Sequence, residues 1–365
     1  MQLTHLSILN YKNLEQADLS FSPKINCFIG NNGMGKTNLL DAIYYLSFCK
    51  SFTNPIDVQN IYHKGDFFVL QGDYTRGNTE EAVYCGLKRK QKKQFKLNKK
   101  EYERLSDHIG FLPLVIISPA DEALISEGSD ERRRFIDSVI SQYNKQYLSE
   151  LIRYNKALMQ RNNLLKNNGN QDDLVFDIWE EQMAQAGRYI FDTRKSFIEE
   201  FIPIFQARFQ YITSGNEVVT LHYQSQLADR DFQDALRRSR ERDTILGYTT
   251  VGIHKDDLEM LLDNYPIKRV GSQGQNKSFL VSLKFAQFDF LKRASNLTPL
   301  LLLDDIFDKL DSRRVAQIIH LVSSDDFGQI FITDTNREHL DDLLNATGSK
   351  VRYFLVDKGE VNILN

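Results

Sequence analysis

Apolar residues along this 365-residue chain follow two different periods. Toward both ends they come in short alternating or continuous runs, and in the middle they recur every three or four residues. Met1–Asn10 alternates as a strand does, with Leu3–Leu9 as its body, and Asn26–Ile29 is a short apolar strand. A Gly-rich turn follows, and then a helix from Lys36 to about Phe48. Further strands are expected at Phe67–Gly72 and Glu81–Leu87, and the spacing through the basic stretch Lys88–Lys100, which holds Phe95, predicts a hairpin. From about Ser129 the period changes. Tyr147, Leu151, Tyr154, Leu158 and Leu165 step by four, three, four and seven, which is one face of a helix. The Asn-rich segment Asn167–Asp173 breaks the pattern, and a helix resumes from Leu174 to Ile202, where Pro203 is expected to end it. Two arms of about 30 residues, or about 45 Å each, would form an antiparallel helical hairpin. Its apolar stripe reads as core and has no catalytic role.

After about Thr244 the strand pattern returns. Ser278–Arg293 reads as a helix, and Pro299–Leu303 and Gln329–Thr333 read as fully apolar strands suited to the buried middle of a mostly parallel sheet. The expected fold is therefore α/β: a sheet domain built from residues 1–128 and 244–365, with a helical arm, 129–243, inserted into it.

Composition narrows the class without naming a function. Hydrophobic residues at 41% and charged residues at 26% are those of an ordinary globular protein. The first ten residues lack a basic start, a long apolar run and a small-residue cleavage site, so no signal peptide is expected. No apolar run approaches the ~20 residues that span a membrane. Cys27, Cys49 and Cys85 are scattered and fit neither a disulfide framework nor a metal site, which points to reduced thiols in a cytoplasmic protein. The net charge of −3 argues against a wholly basic nucleic-acid coat but leaves room for local basic patches.

Chemistry enters with Gly30-Asn31-Asn32-Gly33-Met34-Gly35-Lys36-Thr37, which fits G-x-x-x-x-G-K-[ST] between a strand and a helix. Glycines let backbone N–H groups close around phosphate oxygens, and the helix N-terminus adds positive potential. Lys36 would reach the β- and γ-phosphates of ATP, and the Thr37 hydroxyl would ligate Mg²⁺. Leu300-Leu301-Leu302-Leu303-Asp304-Asp305 reads as a Walker B strand. It would deliver Asp304 to the Mg²⁺ shell and set Asp305 to orient or deprotonate a water. Ser272-Gln273-Gly274-Gln275, ahead of the predicted helix, is similar to the ABC signature, with Gly271 and Gln273 departing from it. Ser272 and Gln275 are its candidate nucleotide contacts. Leu310-Asp311 fits the D-loop of the same class. No Q-loop glutamine stands near Ser118–Asp121, and Thr333-Asp334-Thr335 occupies the switch position where His is common.

With these motifs in order, the chain resembles the RecF family of ABC-type ATPases, related to the heads of SMC proteins. The resemblance is carried by Asn10-Tyr11-Lys12-Asn13, by the P-loop continued through Thr37–Leu46, and by Ser51-Phe52. It continues through Ser118–Asp121, Gly128, Arg132–Asp137, Gln160-Arg161-Asn162, Gly252–Leu258, Ser272–Gln275 and the Walker B strand. Lys12 departs from the family's Arg, Asp41 from Glu, Thr53 from Arg, and Ile253-His254-Lys255 from Pro-His-Arg. The resemblance implies a weak, DNA-stimulated ATPase that acts as a switch. ATP would dimerise it on double-stranded DNA at gaps, hydrolysis would release it, and with RecR and RecO it would help RecA replace single-strand-binding protein.

Three rival readings share part of the pattern. A membrane-transporter engine would be expected to carry a Q-loop glutamine and a switch His. A small-molecule kinase needs neither signature nor insertion. An SMC arm requires a far longer coiled coil than an insertion of about a hundred residues. For a DNA surface, the candidates are Lys88–Lys100, Arg132–Arg134, and Arg237, Arg238, Arg240 and Arg242. No base-reading motif is present, so contacts would be to phosphates.

Overall fold

The structure, a computed structural model, describes residues 1–166, 173–215, 217–228, 231–307, 310–335 and 351–364. They form two compact units. The first comprises Met1–Asp121, Tyr211–Ser214 and Gln273–Asn365, and the second Glu122–Gln210 and Gly215–Ser272.

Two six-stranded sheets build the first unit. One is antiparallel and contains β1 (Gln2–Tyr11), β2 (Leu14–Ser20), β4 (Phe67–Arg76), β5 (Thr79–Lys88), β6 (Gln94–Leu97) and β7 (Lys100–Glu101), in the order β2-β1-β4-β5-β6-β7. The other is mostly parallel, in the order β15-β14-β3-β13-β12-β8. Its strands are β3 (Ile25–Ile29), β8 (Leu114–Ile117), β12 (Leu300–Asp304), β13 (Ile330–Asp334), β14 (Val351–Asp357) and β15 (Glu360–Leu364). The continuous apolar runs of β3 and β12 are buried at every position, as central parallel strands covered on both faces should be. Helix α1 (Lys36–Phe48) is apolar nearly all round, with Leu39, Leu40, Ala42, Ile43, Tyr45 and Leu46 buried. A helix of that kind must be covered on every side. It packs against β1, β4 and β5 of one sheet and β8, β12 and β13 of the other, and their side chains share one core. Gln329 ties the sheets together: its Nε2 donates to the carbonyls of Leu3 and Ser22, and its Oε1 accepts from Leu3 N. Among the described residues the unit also holds α8 (Gln273–Ser295) and α9 (Ser312–Ser323). Asp311, expected as the D-loop residue, caps α9 by accepting from Arg314 N at 3.0 Å.

The second unit holds α2 (Ala123–Ser126), α3 (Ser129–Tyr143), α4 (Lys145–Lys166), most of α5 (Asp173–Thr213), α6 (Phe232–Leu246) and α7 (Ile267–Val270). It also contains a small sheet that the sequence pattern does not announce, β11-β10-β9, made of β9 (Val219–Gln224), β10 (Asp257–Leu262) and β11 (Tyr265–Pro266). Pairing of β10 with β9 keeps residues up to Ser272 with the helices, so this unit extends past the expected insertion limit of 243. The arms are unequal, at 22 and 41 residues. Residues 167–172 of the expected Asn-rich break lie outside the described ones. The expected stop at Pro203 does not occur. Pro203 deprives the carbonyl four residues back of its donor, but both positions are exposed. The buried stripe Phe197, Phe201, Phe205, Phe209 and Ile212 carries the helix onward. Among the described residues no helix is long and apolar enough to cross a membrane.

Buried arginines hold the second unit together. Arg161 donates to Glu180 (3.0 Å), Asp243 (2.7 Å), Thr249 Oγ1 (2.8 Å) and the Leu236 carbonyl (3.1 Å), with all its charge matched inside the protein. Removing one member of such a set strands the others in a low dielectric. Beside it, His254 Nε2 lies 3.0 Å from the Thr249 carbonyl and Nδ1 2.8 Å from Tyr154 Oη. The carbonyl can only accept, so Nε2 carries the proton and Nδ1 accepts from the tyrosine. Burial, with the nearby cations of Lys255, Arg133 and Arg161, lowers the His254 pKa to about 4.

Above pH 6.5 this imidazole is neutral whether the chain is folded or not. Between pH 6.5 and 4 the unfolded chain binds a proton that the folded one refuses, so stability falls as pH drops, by up to about 3 kcal/mol. His254→Gln keeps a donor and an acceptor without titrating. The gap in urea midpoint between pH 7.5 and pH 5 should therefore shrink in this variant, and an equal gap in both proteins would contradict the assignment.

Candidate functional site

The parallel register puts the carboxyl ends of three strands level. Ile29 at the end of β3 pairs with Asp334 of β13, and Thr333 of β13 pairs with Asp304 of β12. Ligand sites of open α/β sheets form at such ends. The chain leaves β3 through Gly30–Gly35 and enters α1 at Lys36. Gly30 cannot carry a side chain, since a Cβ there would lie 2.2 Å from the Val356 carbonyl oxygen. Gly33 and Gly35 have φ of 81° and 121°, in the region that favours glycine. Asn31, Asn32 and Gly33 are exposed and Met34 half-buried. Lys36 is buried, and its Nζ donates to the carbonyls of Gly30 (2.7 Å) and Asn31 (3.1 Å), inside the ring of the loop. The first N–H groups of α1 have no acceptor within the helix and face an anion with favourable potential.

Thr37 Oγ1 lies 3.0 and 3.1 Å from the two oxygens of Asp304. Thr333 Oγ1 donates to Asp304 Oδ1 at 2.8 Å and accepts from Asp305 N at 3.0 Å. Burial pushes the Asp304 carboxyl above the usual carboxylate range, against the pull of the Thr333 and Thr37 hydroxyls and the Lys36 ammonium. A half-buried hydroxyl and a buried carboxylate in contact are the hard oxygen donors that Mg²⁺ takes alongside phosphate oxygens and water. The residues present fit that ion. Asp305 follows with φ of 46°, a left-handed conformation that Asp tolerates better than most residues. Ser272 is exposed immediately before α8, and Gln275 is half-buried in its first turn.

Several contributors carry no signal of their role in the sequence. Asn13 grips both sides of the loop: its Nδ2 donates to the Met34 carbonyl (3.1 Å), and its Oδ1 accepts from Asn38 Nδ2 (2.7 Å). The turn between β14 and β15 adds Gly359 N, which donates to the same Met34 carbonyl at 3.0 Å. Thr333, noted only for not being His, joins Asp304 to the Asp305 backbone. Lys12, Asp41 and Thr53, three separate departures from the family pattern, form one cluster. Lys12 Nζ contacts the Asp41 carboxylate and Thr53 Oγ1, and Asp41 also accepts from Tyr11 Oη (2.6 Å), Ser51 Oγ (2.7 Å) and Phe52 N (2.8 Å). The short Asp41 carboxylate is thus matched by one ammonium and three hydroxyl or amide donors, and the three departures meet in one place.

A family model described as the RecF/RecN/SMC N terminal domain matches residues 2–353. A protein of Bacteroides thetaiotaomicron named DNA replication and repair protein RecF is 62% identical over 363 residues, covering 99% of this chain and 98% of the relative. One of the same name from Phocaeicola vulgatus is 63% identical with the same coverage. The chain belongs to the RecF family. Among solved structures, one described as the recombination mediator protein RecF-ATPrS in the RecFOR pathway superposes with a TM-score of 0.89. It has 28% identity and covers 100% of this chain and 98% of that one. An Smc head domain from Pyrococcus furiosus, at 15% identity and a TM-score of 0.58 over 99% of this chain and 95% of that one, shares the fold. These matches do not favour the readings as a transporter engine or a small-molecule kinase.

Two of the segments that carry the resemblance, Arg132–Asp137 and Gly252–Leu258, meet inside the second unit. Arg132 clasps Asp257 with two bonds (2.6 and 3.0 Å), and Arg133 donates to the Asp256 carbonyl (2.6 Å). Arg194 joins Asp137 (2.8 Å), Asp256 (3.0 Å) and the Ile253 carbonyl (2.9 Å). Arg132 and Arg133, DNA candidates by sequence, are thus committed to internal carboxylates and carbonyls. Arg240 is held in the same way by Asp173, Asp177 and Glu180. In the Lys88–Lys100 stretch, Lys93 ion-pairs with Asp57 (2.7 Å) and donates to the Cys49 carbonyl, while Lys96 lies over the Tyr84 ring.

Asn13→Ala should weaken nucleotide binding about tenfold by freeing the Met34 carbonyl, with the fold unchanged, and Lys36→Met should weaken it about a hundredfold. Titration with a fluorescent ATP analogue measures both. Wild-type affinity in the Asn13 variant would show that the clamp does not shape the loop.

Proposed function

We propose that this protein is an ATP-dependent DNA-binding switch of recombinational repair and replication restart. The observation that carries the reading is the 3.0 Å contact of Thr37 with Asp304 behind a glycine-rich loop, in a chain so close to proteins named for DNA replication and repair. A solved relative described as RecF-ATP, 28% identical with a TM-score of 0.88, supports ATP as the nucleotide.

In this reading the loop N–H groups and Lys36 hold the β- and γ-phosphates, and Thr37 and Asp304 hold Mg²⁺. ATP supplies the γ-phosphoryl group whose hydrolysis resets the switch. Asp305 positions a water and takes up its proton. Ser272, exposed at the start of α8, offers its hydroxyl to the γ-phosphate bound by a second copy, and Gln275 assists from the first turn. Two chains facing head to tail would then close two sites. ATP dimerises the protein on double-stranded DNA at gaps, and hydrolysis, slow and stimulated by DNA, releases it. Work beside RecR and RecO in the cytoplasm, leading to RecA loading, completes the proposal.

Asp305→Asn should keep ATP affinity and cut hydrolysis at least a hundredfold, the range typical of a lost general base. Wild-type turnover would move the base elsewhere. Ser272→Arg should leave ATP binding by the monomer intact and abolish ATP-dependent dimerisation in sedimentation velocity. A variant that dimerises normally would remove the signature assignment and the switch with it.

A further inference from the structure

The three charge runs that look equal in sequence are not equal in the fold. Arg132, Arg133 and Arg240 are spent on carboxylates and carbonyls of their own unit, Arg237 bonds Asp177, the exposed Arg134 and Arg238 pair with Glu131 and Asp234, and of these two runs Arg242 alone is exposed with no ion pair to a described residue. Residues 88–93 differ: they carry five cationic side chains and no acid. Lys88, Arg89, Lys90 and Lys92 are exposed and make no ion pair with any described residue. Lys93, the fifth, turns inward to Asp57, Tyr45 Oη and the Cys49 carbonyl, and so fastens the turn to the end of α1. That attachment brings it beside Lys50, exposed and next in chain to Cys49. On the other side Phe67 pairs with Lys88, and Arg89 N donates to the Asp66 carbonyl, which places the turn next to the segment holding exposed Lys64.

We propose that Lys50, Lys64, Lys88, Arg89, Lys90 and Lys92, gathered from three separate stretches at one end of the antiparallel sheet, form a contact surface for the phosphates of a DNA duplex. The inference rests on the reading of this chain as a DNA-binding ATPase and adds where the duplex sits. Unpaired exposed cations cost energy through mutual repulsion, and a polyanion removes that cost while releasing its own counterions. The composition favours nucleic acid over an acidic protein partner, because five of the six are Lys, a residue depleted at protein–protein interfaces. Asp66 is the acidic side chain left exposed in these stretches, since Asp57 is held by Lys93. Anchoring by Lys93 fixes the turn before binding, so little ordering remains to oppose association. Nothing in the patch reads bases, so it would bind without sequence preference.

The test is fluorescence anisotropy with a 30-base-pair duplex and ATP, repeated across a KCl series. It compares wild type, a variant with Lys88, Arg89, Lys90 and Lys92 all changed to Ala, and a control carrying Arg134→Ala and Arg238→Ala. The patch variant should bind at least tenfold more weakly at low salt, and the slope of log affinity against log salt should flatten by two or more, close to one unit for each phosphate no longer neutralised. The control should match wild type. ATP affinity should be unchanged in all three, which confirms that the variants are folded. A patch variant with wild-type affinity and slope would overturn the surface while leaving DNA binding itself in place. A wild type that binds no duplex would instead sink the underlying function. If poly-glutamate displaces the duplex at equal charge concentration, the patch serves acidic protein segments and the proposal fails.

Discussion

Thr37 and Asp304 stand 267 residues apart along the chain and 3.0 Å apart in space. They meet because β3 and β12 both run parallel to β13 with their carboxyl ends level. A slip of one residue in the β12–β13 pairing would turn Asp304 to the other face of the sheet, and a slip in the β3–β13 pairing would displace the helix that carries Thr37. The buried apolar runs of β3, β12 and β13 make that slip costly, since every position already faces packed side chains on one side or the other. The Thr37–Asp304 geometry is thus a consequence of sheet packing, and helix α1, covered on all sides, transmits it to the loop.

Around this joint the protein adds restraints rather than further chemistry. Asn13 from the first hairpin and Gly359 from the last both fasten the Met34 carbonyl, so the loop is held from opposite ends of the sequence. In the second unit the same logic uses charge. Arg161 and Arg194 are buried with their carboxylates, an arrangement that contributes less to net stability than to specifying which segments meet. Lys93 plays that part at the cationic turn.

Much of this was readable from the sequence, and the reasons differ from place to place. The strand–loop–helix around Gly30–Thr37 and the Asp304 strand were legible because phosphate chemistry demands residue types at fixed spacing. α1 was placed at its observed limits because Gly35 precedes it and its apolar density forces burial. The run through Pro203 was not legible from proline alone; the four-residue spacing of Phe197, Phe201, Phe205 and Phe209 was the better signal. The small sheet escaped because β9 and β10 are short and widely separated, so their pairing leaves no local pattern. Asn13, Thr333 and Gly359 were missed because each acts through a backbone or second side chain brought near by folding. Charge runs misled most. Arg132 and Arg133 resemble a surface stripe in sequence, and nothing short of the fold reveals that Asp256 and Asp257 claim them.

Nucleotide that seats in the loop between β3 and α1 should be felt by the segments that clamp the loop. Hydrogen exchange followed by mass spectrometry, with and without Mg²⁺ and a slowly hydrolysed ATP analogue, tests it directly. Nucleotide should slow exchange across Gly30–Thr37 together with the peptides holding Asn13 and the turn at Lys358 and Gly359. Exchange that is unchanged across Gly30–Thr37, with protection appearing elsewhere or not at all, would contradict it.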